Sequence, residues 1–198
     1  MIHIVRQVCE SLDEAHARGL VHRDIKPANI HVGRIGMRDD FVKVLDFGLV
    51  KPVSIRVGEH SLATAQGLTP GTPAYMAPEM ALGDHVDARA DVYALGCVTY
   101  FLLTGKLVFE GENLFQVVVK HLQDSPVPPS QRTALPIPAS LDAVVLACLV
   151  KERESRMRSA GELRRALAAV DVPSWGDEQA AHWWTATQGM PATSYTGA

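Results

Sequence analysis

Eight consecutive residues, His22-Arg23-Asp24-Ile25-Lys26-Pro27-Ala28-Asn29, constrain this chain more than any other stretch. They place a carboxylate, an ammonium and an amide on one short loop. Seventeen residues after Asn29 comes Asp46-Phe47-Gly48, a second carboxylate in a tight local setting. The flanks limit how these groups can be presented. Before the loop, Ile4, Val5, Val8, Cys9, Leu12, Ala15 and His16 recur at helical spacing, and Arg18-Gly19 ends that helix with Gly19 as a left-handed cap. After it, Ile30 and Val32, then Phe41, Val42, Val44 and Leu45, read as short strands around a turn at Gly33 to Asp40. A helix, a polar loop and a strand pair therefore lead in order from one cluster of chemical groups to the next.

The rest of the chain is mostly helical by pattern. Ala88 to Thr104 is a strongly apolar helix closed by Gly105. Asn113 is read as the N-cap of a helix through Leu122, Ser140 as the cap of one through Val150, and Ser159 as the cap of a last one from Ala160 to Val170. Pro126, Pro128, Pro129, Pro136 and Pro138 enforce an irregular connection. Lys51 to Leu68 shows no period and reads as a long loop, a feature that is usually functional in a compact domain. The composition changes past Asp171, so one domain is expected over residues 1–170 and a tail over 171–198. Trp175, Trp183 and Trp184 in that tail either pack back on the domain or dock another domain or partner.

Bulk properties narrow the function. The 198 residues are enough for one domain with a substantial core, and 47% hydrophobic content is ordinary for a globular protein. A net charge of −3 indicates neither a nucleic-acid surface nor an anionic-membrane surface. Cys9, Cys97 and Cys148 are far apart, each in an apolar stretch, and read as buried thiols of a reducing compartment. Arg6 and Glu10 interrupt the apolar N-terminus, which argues against a secretory signal, and the apolar run Ala94 to Leu103 is too short to span a bilayer. A cytoplasmic location is expected.

Taken with Gly71-Thr72-Pro73-Ala74-Tyr75-Met76-Ala77-Pro78-Glu79 and Asp91-Val92-Tyr93-Ala94-Leu95-Gly96, the two loop motifs make the chain resemble the protein kinase family, in wording close to its bacterial members. The resemblance covers residues 1 to about 170. It implies a mainly helical α+β fold, the large C-terminal lobe of a protein-kinase-like fold, with the small lobe absent. It implies that Asp24 accepts the proton of a substrate hydroxyl, that Lys26 neutralises the transferred phosphoryl group, and that Asn29 and Asp46 hold Mg2+ beneath the phosphates of ATP. His22 and Phe47 would stack to tie the loop to the core. Glu79 would pair with a buried arginine, Arg156, and Asp91 would accept hydrogen bonds from the catalytic-loop backbone; Asp91 also reads, compatibly, as a helix N-cap. Lys26-Pro27 and Thr72, which would bond near Asp24 and Lys26, favour a serine/threonine acceptor in a protein substrate. Arg23 would pair with a phosphate on the activation loop, where Ser54, Ser61, Thr64 and Thr69 are candidates, alongside the reading that these are ordinary loop hydroxyls. Ile30, His31 and Val32 occupy the place of the adenine floor. His31 stands where Leu or Met is more usual, and its imidazole can stack on adenine.

The resemblance also exposes what these residues lack. Met1 stands only about six helical turns before the loop. No Gly-rich phosphate loop, strand-borne lysine, partner glutamate or hinge is present, and Gly33-x-x-Gly36 does not substitute. The expectation is weak ATP binding and weak or no activity for this chain by itself, with Phe47, Leu45 and Val32 left for a missing small lobe or a partner to cover. Two functions remain open: part of a serine/threonine kinase, or a kinase-derived binding or regulatory module without catalysis.

Overall fold

A computed structural model describes residues 1–47 and 72–187; of Thr72 it describes the backbone only. The chain is mainly helical with one two-stranded antiparallel sheet. Helix α1 spans Ile2–Ala17 and buries Val5, Val8, Cys9, Leu12 and Ala15, a single stripe at three- and four-residue intervals. Its chain leaves through Arg18 and then Gly19 at φ 75°, a conformation glycine adopts without steric cost.

The polar loop follows, ending in a 3₁₀ turn at Pro27–Asn29. Strands β1 (Ile30–Ile35) and β2 (Arg38–Val44) pair from Ile30 opposite Val44 to Ile35 opposite Arg38. The strands are longer and their turn tighter than the pattern predicts. Only Gly36 and Met37 separate them, with Gly36 at φ 61°. Two-residue hairpins need such positive φ values, and glycine supplies one of them.

Helix α2 (Pro78–Leu82) is a short addition to the predicted set, and α3 (Ala88–Thr104) is the central rod of the core. Every residue from Ala90 to Tyr100 on α3 is buried, as expected of a helix apolar on nearly all sides. Gly105 ends α3 at φ 68° as predicted. Its N-cap is Asp87, which accepts the Arg89 N–H; Asp91 lies inside the first turn and is not the cap. Helix α4 (Leu114–Gln123) is capped by Asn113, as read from sequence. Helix α5 (Ala139–Cys148) starts at Pro138 with no side-chain cap, so Ser140 does not serve there. The helix ends two residues before Val150. Helix α6 (Ala160–Ala168) is capped by Ser159, whose Oγ accepts the Glu162 N–H at 3.1 Å. Asp13 of α1 also accepts the Gly161 N–H at 2.7 Å, joining α6 to α1.

One apolar core joins α1, α3, α5, α6 and the hairpin. Val170 is buried in it and Val172 packs against it, so the chain stays on the core past the predicted boundary. A further helix that the sequence pattern does not predict, α7 (Asp177–Thr187), then seats against β2. Trp175 and Trp184 reach back to the domain through their indole N–H groups, although Trp175, like Trp183, keeps much of its ring exposed. Cys9, Cys97 and Cys148 are buried free thiols. Burial pushes the Cys9 and Cys97 thiols up to about 12 and Cys148 higher still, so none is a ready nucleophile. Among the described residues no helix is long and apolar enough to cross a membrane.

Helices α3 and α5 approach each other closely at Gly96. A Cβ added at Gly96 would lie 2.5 Å from the Cys148 Cβ. Gly96→Ala is expected to cost about 1–3 kcal/mol through overpacking, despite alanine's better helix propensity. Urea unfolding measures this, and a variant as stable as the parent would show that the two helices can part.

Candidate active site

The loop at 22–29 is held from below by one buried carboxylate. Asp91, fully buried in the first turn of α3, accepts the backbone N–H of His22 at Oδ2 (2.8 Å) and that of Arg23 at Oδ1 (2.7 Å). His16 of α1 lies 2.8 Å from Oδ2 through Nε2. A buried charge needs such partners. These bonds hold Arg23 at φ 65°, a left-handed conformation uncommon outside glycine, with its side chain exposed.

His22 ties the loop to the end of β2. Its Nε2 is 2.7 Å from the Leu45 carbonyl, which can only accept, so Nε2 carries the proton. Nδ1 is then the acceptor, and the Asp24 N–H donates to it at 3.3 Å. The His22 ring meets the Phe47 ring edge-on, with centroids 4.7 Å apart. The imidazole thus bridges the backbone of Asp24 to the segment that carries Asp46.

The predicted base, cation and amide converge. The Lys26 Nζ is 2.8 Å from Asp24 Oδ2. Asn29 Nδ2 donates to the Asp24 carbonyl at 2.7 Å and to its Oδ2 at 3.1 Å. Using the amide N–H2 in this way fixes the flip of Asn29 and leaves Oδ1 as its free acceptor atom. The Leu45 N–H donates to the Asn29 carbonyl at 2.9 Å, which places Asp46 one residue from the cluster. Asp46 is exposed and takes φ 60°. Asp24, Lys26 and Asn29 therefore gather at the end of the hairpin where the chain leaves β2 toward Asp46 of the second motif.

His31 lies on the exposed face of β1, opposite the half-buried Ile30 and Val32, and its ring covers Gly33. Val32, Leu45 and Phe47 are half-buried; Val32 and Phe47 pack on the core rather than standing wholly in solvent. Thr72 opens a 3₁₀ turn, Thr72–Tyr75, that rests on α3 and α4. Its hydroxyl lies outside the described residues, as do Gly48, Ser54, Ser61, Thr64 and Thr69.

Just past that turn, α2 presents Glu79 to Arg156. The guanidinium is fully buried and bonds both carboxylate oxygens, at 2.7 and 2.9 Å. Its other N–H groups donate to the carbonyls of Arg89, Val150 and Lys151.

A second buried cluster beneath the Thr72–Tyr75 turn is not apparent from motifs. The Tyr93 hydroxyl lies 2.9 Å from His121 Nδ1, and Lys151 Nζ lies 3.2 Å from the same hydroxyl and 4.2 Å from the Phe109 ring centroid. Burial, reinforced by the Lys151 charge, pushes His121 down to about 3, so it is a neutral core residue. Burial likewise lowers Lys151 to about 8. The one sequence signal was the position of His121 on the apolar α4 face with Val117 and Val118. Asp40 is also unannounced by any motif; it accepts two indole N–H groups from the tail.

Comparison with known proteins agrees with this geometry. A family model described as protein kinase domain matches residues 1–166. The serine/threonine-protein kinase Pkn1 of Myxococcus xanthus is 46% identical over 167 residues, covering 84% of this chain and 23% of that protein. The serine/threonine-protein kinase PknB of Mycobacterium leprae is 42% identical over 169 residues, covering 85% and 26% respectively. A probable serine/threonine-protein kinase PknB of Corynebacterium glutamicum is 42% identical over 171 residues, covering 85% and 25%. The chain spans about a quarter of the length of these curated relatives. With the loop carboxylate, cation and amide drawn together and the family match covering most of its length, the chain belongs to the protein kinase family, in the company of bacterial serine/threonine kinases.

Proposed function

We propose that these residues supply the catalytic base and the metal ligands of a serine/threonine protein kinase, transferring the γ-phosphoryl group of ATP to a protein hydroxyl. The observation that carries the reading is the contact of Lys26 Nζ and Asn29 Nδ2 with the same oxygen, Asp24 Oδ2. That contact orients the carboxylate, so its other oxygen can take the proton of an incoming serine or threonine. Lys26 stands where a transferring phosphoryl group would need positive charge. The donor set left over, Asn29 Oδ1 and the exposed Asp46 carboxylate, is all oxygen and suits Mg2+. Bound there, Mg2+ would neutralise the phosphates and help to orient them. Asp91 and His22 position the loop without touching substrate. Arg23, exposed beside Asp24, would receive a phosphate on the 49–71 segment, and Thr72 would help place the acceptor hydroxyl.

In this reading residues 1–170 are the larger lobe of the kinase fold and 171–198 a tail outside the shared domain. His31, with Val32, Leu45 and Phe47 nearby, would face the nucleotide and the smaller lobe or partner that covers it. The cytoplasm, a reducing compartment that suits three buried free thiols, is the proposed location. The second reading is a kinase-derived binding or regulatory module without catalysis.

Transfer of labelled phosphate from ATP to a mixed serine/threonine protein substrate separates the two. The chain alone is expected to show little Mg2+-dependent transfer. A polypeptide extended upstream in frame, if it brings a Gly-rich loop and its lysine, is expected to show clear transfer to serine and threonine. Silence from that extended polypeptide would favour the non-catalytic module.

A further inference from the structure

Helix α7 lies beyond the residues matched by the family model, yet it has a built receptor on β2. Between the pairs Gly33–Phe41 and Ile35–Arg38, the single residue Arg34 faces two residues, Asp39 and Asp40. This is a β-bulge, a device that re-aims a side chain. Asp40 takes φ 52° there, a conformation aspartate enters more readily than most residues. The two carboxylates part company at the bulge. Asp39 pairs with Arg34 of the hairpin itself. Asp40 turns inward and is only 7% exposed.

Its partners come from three elements. Trp175 Nε1 donates to Oδ2 at 2.8 Å and Trp184 Nε1 to Oδ1 at 2.8 Å. His3 of α1 reaches Oδ2 at 2.7 Å through Nε2 and stacks on the Trp175 ring, with centroids 5.5 Å apart. Gln7 of α1 donates to the Asp40 carbonyl at 2.8 Å and accepts the Val42 N–H at 3.3 Å. Burial raises the Asp40 carboxyl, but the bonds from Trp175, Trp184 and His3 together hold it below its usual value. A buried carboxylate stripped of its donors is costly, and two of the three side-chain donors here belong to the tail.

We propose that the tail is a clasp. The indoles of Trp175 and Trp184 close on Asp40, lock the β1–β2 hairpin onto α1, and so set the end of β2 from which Leu45 and Asp46 reach the catalytic loop. The role given to Asp46 rests on the function proposed above; the mechanical coupling does not. Release of the tail would free two indoles for another surface and loosen the hairpin at the same moment. The clasp makes Asp40 a positioning residue, acting through β2 rather than on any reactant.

Hydrogen exchange read by mass spectrometry on the full chain tests this without ATP or transfer, so failure of the kinase reading leaves the result unaffected. Trp184→Phe and the Trp175→Phe/Trp184→Phe double variant keep an aromatic ring, though a smaller one, and delete the N–H donors. Both are expected to speed exchange about 10-fold or more in residues 177–187 and also in residues 38–46, with α3 unchanged as a control on folding. Asp40→Asn, which tolerates the left-handed backbone, removes the charge and leaves one acceptor oxygen for two indoles, and is expected to do the same if the double variant fails to fold. Faster exchange in 177–187 alone would overturn the coupling to β2. No change in either segment would overturn the clasp.

Discussion

Arg156→Ala is expected to destabilise the protein by about 3–5 kcal/mol, the range for breaking one side of a buried ion pair. The reason lies in how completely the guanidinium is used. It has five N–H groups. Nε serves Val150, Nη1 serves Glu79 and Arg89, and Nη2 serves Glu79 and Lys151. The ring of Tyr93 lies beneath it, 4.9 Å from Cζ. Alanine would strand a carboxylate that is 6% exposed and leave three carbonyls without these donors. A domain of this size is typically stable by only about 5–15 kcal/mol, so the variant should unfold at a much lower urea concentration. Arg156→Lys should recover little, because an ammonium has three donors and no planar fork. Glu79→Ala should fall in the same range, and the double variant should cost less than the two single changes added. A loss below about 1 kcal/mol for Arg156→Ala would mean that water reaches the site and that α2 is not anchored there.

The second large effect is on chemistry. In the upstream-extended polypeptide, Asp24→Asn is expected to lower phosphoryl transfer by about 10²–10⁴-fold, the usual contribution of a positioned general base. Asparagine keeps the size of the side chain, so the Asn29 bond to the Asp24 carbonyl should survive. What is lost is the proton acceptor and the charge that holds Lys26 Nζ at 2.8 Å. Turnover should fall with little change in the KM for ATP, since Asp24 acts on the acceptor hydroxyl. Exchange protection of α3 reports that the fold is intact. Activity within tenfold of the parent would remove Asp24 from the role of base and return weight to the non-catalytic reading.

The same two sites show what could be read in advance. Asp24, Lys26, Asn29 and Asp46 stand out because their chemistry is local, four polar groups within 23 residues on loops between apolar segments. The stripe of α1, the all-round burial of α3, Gly105 at its end and the caps Asn113 and Ser159 are legible for a related reason. Each is signalled by residue types within about four positions of one another, whatever elements later cover them. Ser140 misled because a serine near a helix start resembles a cap. There the nearby Asp142 instead accepts from the backbone and hydroxyl of Ser130, bonds that cross 12 residues. Helix α7 escaped notice because no strong apolar stripe marks it, even though Ala180, Ala181 and Glu178 are good helix formers. Its donors reach Asp40 across 135 and 144 residues.

The amino-acid order alone determined the loop that carries Asp24, Lys26 and Asn29, the helical periods and the family to which the chain belongs. Packing decided which carboxylate plays which part. Asp91 supports the loop backbone, Glu79 anchors α2, Asp40 receives the tail, and Asp24 stays partly exposed beside Lys26. A carboxylate looks the same in any sequence. Its role follows from burial, which makes every unpaired donor and acceptor expensive, and from the partners that only a folded chain brings within hydrogen-bond distance.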